Sequence, residues 1–142
     1  MKIAVMGAGS WGTTFAKVIA DSGNPVMVWA RNDEVSHEIN TQHTNSRYLG
    51  DIVLSDLITS TSDPAQAVSD ADVVVLAIPA QSMRANLSQW KDHLKPDCVL
   101  VSLMKGIEGA SGKRMTEVIA EVAEVPLSRV AVVSGPNLAK EI

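Results

Sequence analysis

Cysteine is nearly absent from this 142-residue chain, with Cys98 standing alone. A single cysteine excludes a disulfide framework, so a reducing cytoplasm is the expected setting. Set in the apolar run Cys98-Val99-Leu100-Val101, its thiol reads as a small buried hydrophobe. Positive charge is scarce as well: 12 Lys and Arg against 16 Asp and Glu leave a net charge of −4. No window gathers basic residues, and a nucleic-acid role is not expected. No apolar stretch reaches the length of a membrane span. The first apolar run begins at Ile3, which leaves no room for a leader ahead of it. Repeats, low-complexity tracts and linkers are lacking too. What is present is ordinary globular composition, 46% hydrophobic and 20% charged, in a length that suits one domain with a sizeable core.

The richest stretch lies at the start. Ile3 to Met6 run into Gly7-Ala8-Gly9-Ser10-Trp11-Gly12, and a helical pattern follows at once. Strand, glycine turn and helix in that order suit a dinucleotide pyrophosphate. Gly7 permits the tight turn, Gly9 lets backbone approach the phosphates, and Gly12 lets the helix pack close to the strand. The free N–H groups and the positive end of the helix then face the anion.

Beyond it, apolar strands alternate with amphipathic helices. Trp11, Phe15, Val18, Ile19 and Ser22 share one helical face, and Gly23-Asn24-Pro25 ends that helix. Val26 to Ala30 predicts a second strand, and Asp33 is expected to cap a short helix carrying Val35 and Ile39. Residues 40–56 are polar and irregular and read as a loop. Leu57 to Thr61 predicts a strand, then Asp63-Pro64 an N-cap with proline at the first helical position. Val73 to Ile78 has the unbroken apolarity of a parallel strand covered on both faces. Met83, Leu87, Trp90 and Leu94 mark a helix, Val99 to Leu103 a strand, and Met115, Val118, Ile119 and Val122 another helix. Val130 to Val133 is the last strand; a helix opens over Asn137 to Ile142 and stops about one turn in. The order predicts a doubly wound α/β domain of the Rossmann type, a parallel sheet with helices on both faces. The broken final helix suggests the N-terminal piece of a longer polypeptide.

Candidate site residues gather at the carboxyl ends of these strands. Arg31 stands roughly twenty residues past the glycine turn, where an acidic residue would mark NAD. A guanidinium there suits the 2′-phosphate of NADP or a stack on adenine, with a solvated strand-end arginine as the plain alternative. Neighbouring Asn32, Asp33 and Glu34 keep ribose binding by NAD open, so both cofactors are expected, NADP the better. Lys105, in Met104-Lys105-Gly106, could hold an anionic substrate or polarise a carbonyl beside the nicotinamide, or sit in water. Ser134-Gly135-Pro136-Asn137 repeats that placement, and Pro79, Ala80 and Gln81 could wall the cofactor. Gly109-Ala110-Ser111-Gly112-Lys113 is no phosphate loop, because Ile107 and Arg114 occupy the positions needing Gly and Ser or Thr. His37, His43 and His93 lack metal-ligand spacing and read as surface residues.

Four segments occur in order: Gly7 to Thr13, His43-Thr44-Asn45-Ser46-Arg47-Tyr48-Leu49, Met104-Lys105-Gly106-Ile107-Glu108, and Ser134 to Ile142. Together they resemble the bacterial glycerol-3-phosphate dehydrogenases that use NAD or NADP, over essentially the whole chain. The resemblance implies reversible reduction of dihydroxyacetone phosphate to sn-glycerol 3-phosphate, which supplies phospholipid synthesis. It also implies a second, all-helical domain that carries the catalytic lysine and the groups holding the substrate phosphate. By the family's pattern Ser10, Trp11, Arg31, Tyr48 and Ala139 contact the cofactor, Lys105 serves cofactor and substrate, and Gly135 and Asn137 contact substrate. Asn137 departs from the pattern, since many members carry Ser there. A cofactor half on its own is expected to bind NAD(P)(H) with little turnover, and an uncovered domain interface to favour self-association. The rival expectations are a related NADP-dependent hydroxy-acid dehydrogenase and a stand-alone NAD(P)-sensing module.

Overall fold

The structure, a computed structural model, describes residues 1–135 and residue 139. Six strands, β1 (Ile3–Met6), β2 (Val26–Trp29), β3 (Ile58–Thr61), β4 (Val73–Leu76), β5 (Val99–Ser102) and β6 (Val130–Val132), form one sheet. Their order is β3-β2-β1-β4-β5-β6 and every pairing is parallel. The doubly wound α/β expectation therefore holds. The order reverses between β1 and β4, and open α/β sheets bind ligands in the crevice at such a switch point.

Alternation along the strands divides the core in two. Ala4, Met6, Val74, Leu76 and Leu100 point to one cluster, which Met83, Leu87 and Trp90 of α5 (Met83–Trp90) and Val118 and Ile119 of α6 (Met115–Ala123) complete. Ile3, Val5, Val26, Val28 and Val75 point to the other, under α1 (Ser10–Asp21) and α2 (Asp33–Gln42). Full burial of an aliphatic side chain such as Leu87 or Ile119 contributes about 1.5–3 kcal/mol, and both are fully covered. The apolar stripes predicted for α5 and α6 are the faces that bury.

Three expectations need correction. In α1 the residues pressed onto the sheet are Gly12, Thr13, Ala16 and Ala20, while Val18 and Ser22 are exposed and Trp11, Phe15 and Ile19 are half-buried flanks. Gly12 brings the helix so near β1 that only small residues fit the contact. The cap of α2 is Asn32, whose Oδ1 accepts from the Glu34 N–H at 2.7 Å, not Asp33. Residues 40–56 are not all loop: α2 runs to Gln42, His43 turns the chain at φ 52°, and α3 (Ser46–Leu49) follows. Long-range tethers produce α3, and local periodicity does not reveal them. By contrast α4 (Pro64–Val68) starts as predicted, with Asp63 Oδ1 accepting from the Ala65 N–H at 2.9 Å and Pro64 in the first turn.

Candidate functional site

Backbone geometry builds the first wall of the site. Gly7 leaves β1 at φ +128°, where a Cβ would lie 2.5 Å from the Ala77 carbonyl oxygen beyond β4. A Cβ on Gly12 would lie 2.0 Å from the Gly7 oxygen, so α1 and the turn touch backbone to backbone. Gly9 differs: no atom lies within 4 Å of where its Cβ would stand. As the N-cap of α1 it offers no capping side chain to the N–H groups of the first turn. Two glycines are required by close protein contact and the third leaves room for a ligand.

That space is a cleft of about 890 Å³ at the switch point. Gly7, Gly9, Ser10, Trp11, Gly12, Arg31 and Tyr48, all singled out from sequence, line it together. Pro79 lines it as well, whereas Ala80 and Gln81 do not. The volume and the mixed apolar and polar lining fit a dinucleotide-sized ligand, and the uncapped helix start fits its pyrophosphate.

The opposite wall is α3 and its tethers. Asn45 is fully buried, and its Nδ2 donates to the Ala8 oxygen in the glycine turn and to Thr13 Oγ1, both at 2.9 Å. Glu38 Oε1 accepts from the Ser46 N–H at 2.7 Å and from Thr44 Oγ1 at 2.8 Å. The Ser46 and Thr44 hydrogen bonds hold the Glu38 carboxyl below its usual range. The Arg47 guanidinium lies 5.6 Å from the centre of the half-exposed Tyr48 ring.

Asp33 and Glu34 line a separate cleft with His37, Glu38, Gln42 and Ser46, so neither carboxylate faces the cofactor-sized one. Asn32 does line the main cleft, with its Oδ1 occupied as the α2 cap.

Lys105 is exposed and lies one residue past the cleft-lining Leu103 and Met104. The loop after it is braced by Gln81, in the turn before α5, and by Arg84 of α5. Gln81 Nε2 donates to the Ile107 oxygen at 2.9 Å, and its Oε1 accepts from the Gly109 N–H at 3.0 Å. Glu108, 7% exposed, accepts from Arg84 Nε at 2.8 Å and Nη2 at 3.0 Å, and also from Ser111 Oγ. The Arg84 guanidinium first, and the Ser111 hydroxyl second, depress the Glu108 carboxyl to about 2. Lys113 pairs with Glu121 of α6, so the one cation of the 109–113 segment is turned to a carboxylate instead of a phosphate.

Gly135, half-buried after β6, and Ala139 fall outside the described lining of the cleft; Asn137 and the helix expected over 137–142 lie outside the described residues, Ala139 excepted. His37 and His93 are exposed, while His43 is half-buried with Nε2 3.5 Å from Asp56. Among the described residues no helix is long and apolar enough to cross a membrane.

Sequence reasoning passed over Trp29, Val35, Arg47, Ser82, Asn86, Leu103 and Met104 as site residues, and they also line the cleft. Ser82 and Asn86 carried a signal, since they stand four apart on the polar side of the α5 stripe, and Asn86 Nδ2 donates to the Ser82 oxygen. Arg47 carried one too, as a cation beside Tyr48.

Residues 2–142 match the family model described as NAD-dependent glycerol-3-phosphate dehydrogenase N-terminus. The chain is 58% identical over 142 residues to glycerol-3-phosphate dehydrogenase [NAD(P)+] of Corynebacterium diphtheriae and 56% identical to that of Corynebacterium urealyticum. It is covered in full by each and spans 43% of their length. The solved structure of glycerol-3-phosphate dehydrogenase from Saccharomyces cerevisiae superposes with a TM-score of 0.88 at 33% identity, over 99% of this chain and 43% of that one. The chain thus belongs to the NAD-dependent glycerol-3-phosphate dehydrogenase family, as its N-terminal, dinucleotide-binding part.

Proposed function

We propose that this chain is the cofactor half of an enzyme that reversibly reduces dihydroxyacetone phosphate to sn-glycerol 3-phosphate with NAD(P)H. One observation carries the reading. The space that Gly9 leaves empty opens into the cleft, at an uncapped helix start, and Arg31 lines the same cleft. Gly7, Gly9, Ser10, Trp11 and Gly12 cradle the pyrophosphate, while Arg31 and Tyr48 hold the adenosine. The bound nicotinamide supplies the hydride. Lys105, one residue beyond the cleft-lining Met104, orients the carbonyl and the substrate's charge, and in the family's pattern Gly135 and Asn137 add substrate contacts and Ala139 a cofactor contact. The proton-transferring lysine belongs to the helical half found in full-length relatives. Without that half, donor and acceptor are not held in attack geometry, and the isolated chain binds cofactor with little turnover. A cytoplasmic setting fits the free, buried Cys98. Val132 and Val133, exposed at the sheet edge, support self-association of the isolated chain.

Titration with NADPH and NADH tests the reading, because Trp11 and Trp29 line the cleft while Trp90 is buried in the core. Saturable quenching of two of the three tryptophans, with energy transfer to the reduced nicotinamide, is expected. No binding of either nucleotide at about millimolar concentration, some 4 kcal/mol of affinity, rejects it.

A further inference from the structure

The lysines and arginines fall into two groups. Most lean on protein oxygens: Lys17 on Asp21, Lys95 on Asp72, Arg84 on Glu108 and Glu121, Arg129 on the Pro96 and Cys98 carbonyls, and the rest in similar pairs. Among the described residues only Arg31, Arg47 and Lys105 make no such hydrogen bond or ion pair. Arg31 and Arg47 both line the main cleft, and no Asp or Glu lines it with them. A protein of net charge −4 therefore keeps two unspent guanidiniums facing one cavity without a counter-charge.

Arg47 is not there by the accident of a loose loop. Asn45 ties its segment to the Ala8 oxygen and Thr13, the Ser46 N–H is fixed on Glu38, and Leu49 packs into the core beneath α1. Three buried or hydrogen-bonded neighbours, Asn45, Ser46 and Leu49, thus set the backbone from which its exposed side chain projects. The two arginines come from different elements, Arg31 from the end of β2 and Arg47 from α3, so they bracket the cleft instead of duplicating one position.

NADP differs from NAD at one group, a dianionic phosphate on the adenosine 2′ oxygen. A guanidinium fork matches phosphate oxygens in pairs, and two forks can share one phosphate. NAD presents a hydroxyl there, which needs an acceptor, and the carboxylates that could accept line the other cleft. We propose that Arg47 is the second phosphate-reading residue of this site and, with Arg31, sets its preference for NADP over NAD. The inference rests on the cofactor reading above. Arg47 is a specificity residue, remote from hydride transfer.

The test uses the chain as it is. NADPH and NADH are titrated against tryptophan fluorescence, and adenosine 2′,5′-bisphosphate and AMP by calorimetry, for the parent, Arg47→Ala and Arg47→Lys. Arg47→Ala should weaken NADPH and the bisphosphate about tenfold, the size of one charge-assisted contact, and leave NADH and AMP within about twofold. Arg47→Lys should recover part of the loss, since the charge stays and the fork goes. Unchanged NADPH affinity, or equal losses for both nucleotides, overturns the role of Arg47 and leaves the cofactor reading standing. A parent chain that binds neither nucleotide overturns both.

Discussion

Between Met6 and Ser10 the chain is shaped by contacts that leave no room for a side chain, whereas between Ile107 and Arg114 it is shaped by side chains. The glycine turn after β1 holds no titratable group: its form comes from Gly7 against Ala77 and Gly12 against Gly7, backbone on backbone. The loop after β5 is held through Glu108, Lys113 and Arg114, with Arg84 reaching Glu108 from α5, and its glycines at 106 and 112 look into open space. Both follow the carboxyl end of a strand, but the turn lines the cleft itself, whereas the loop reaches it only through Leu103 and Met104 at its start. The turn is rigid by exclusion and the loop by attraction, so they should fail under different insults.

Gly12→Ala should break the turn and cause the largest effect. In an ordinary helix interior that exchange stabilises by about 1 kcal/mol. Here the new Cβ meets a backbone oxygen that cannot move without moving β1, and the expected cost is about 3 kcal/mol. Urea unfolding measures it, and nucleotide quenching should vanish. A variant that unfolds with the parent would show that the turn is not rigid by exclusion.

Gly9→Ala separates folding from binding in the same turn. Its Cβ touches no protein atom, so stability should change by no more than about 1 kcal/mol, the ordinary range at an N-cap. NADPH affinity should fall about tenfold or more, because the methyl group enters the space meant for the phosphates. Equal binding by parent and variant would mean that the ligand does not approach the backbone there.

Acid should open the loop and spare the turn. Glu108 is depressed to about 2 by Arg84 and Ser111, from an ordinary carboxylate value of 4.5. A carboxyl depressed by folding contributes stability above its unfolded value and loses it as pH falls through the folded one. The contribution of Glu108 is thus complete above about pH 4.5 and gone near pH 2. Glu108→Gln should melt below the parent at pH 7, by less than Gly12→Ala does, and the gap should close across that window. Thermal melts at several pH values read it; a gap independent of pH would assign the loss to packing.

The contrast also explains what could be read from sequence. The glycine turn was legible because sterics act between neighbours in the chain: Gly7, Gly9 and Gly12 carry their meaning in their spacing. The strands and the α5 and α6 stripes were legible for the same reason, through periodicity of Met83-Leu87-Trp90 and Met115-Val118-Ile119-Val122. The Arg84–Glu108 brace spans 24 positions and the Asn45–Ala8 tether 37, and nothing local announces either. α3 was lost with that tether, and the cleft role of Arg47 with it. The α1 face was misread because apolar size outweighed closeness. Thr13, Ala16 and Ala20 bury since they are small, which becomes evident only once Gly12 is seen against Gly7.

The smallest effect should come from Gly112→Asn, and it sharpens the comparison by its mildness. Gly112 sits at φ +70°, a left-handed conformation that Asn tolerates better than other side chains, and no atom lies within 4 Å of its Cβ position. Its N–H donates to the Glu108 oxygen at 2.8 Å, a bond that any residue but proline keeps. The expected change is within about 0.5 kcal/mol, as at other surface positions, whereas Ala there should cost about 1 kcal/mol for the left-handed backbone. Urea unfolding of the two variants side by side gives both numbers. If Asn proved as damaging at 112 as Ala at 12, the loop too would be held by close packing. Its glycines would then be steric requirements, and the acid sensitivity assigned to Glu108 would have to come from elsewhere.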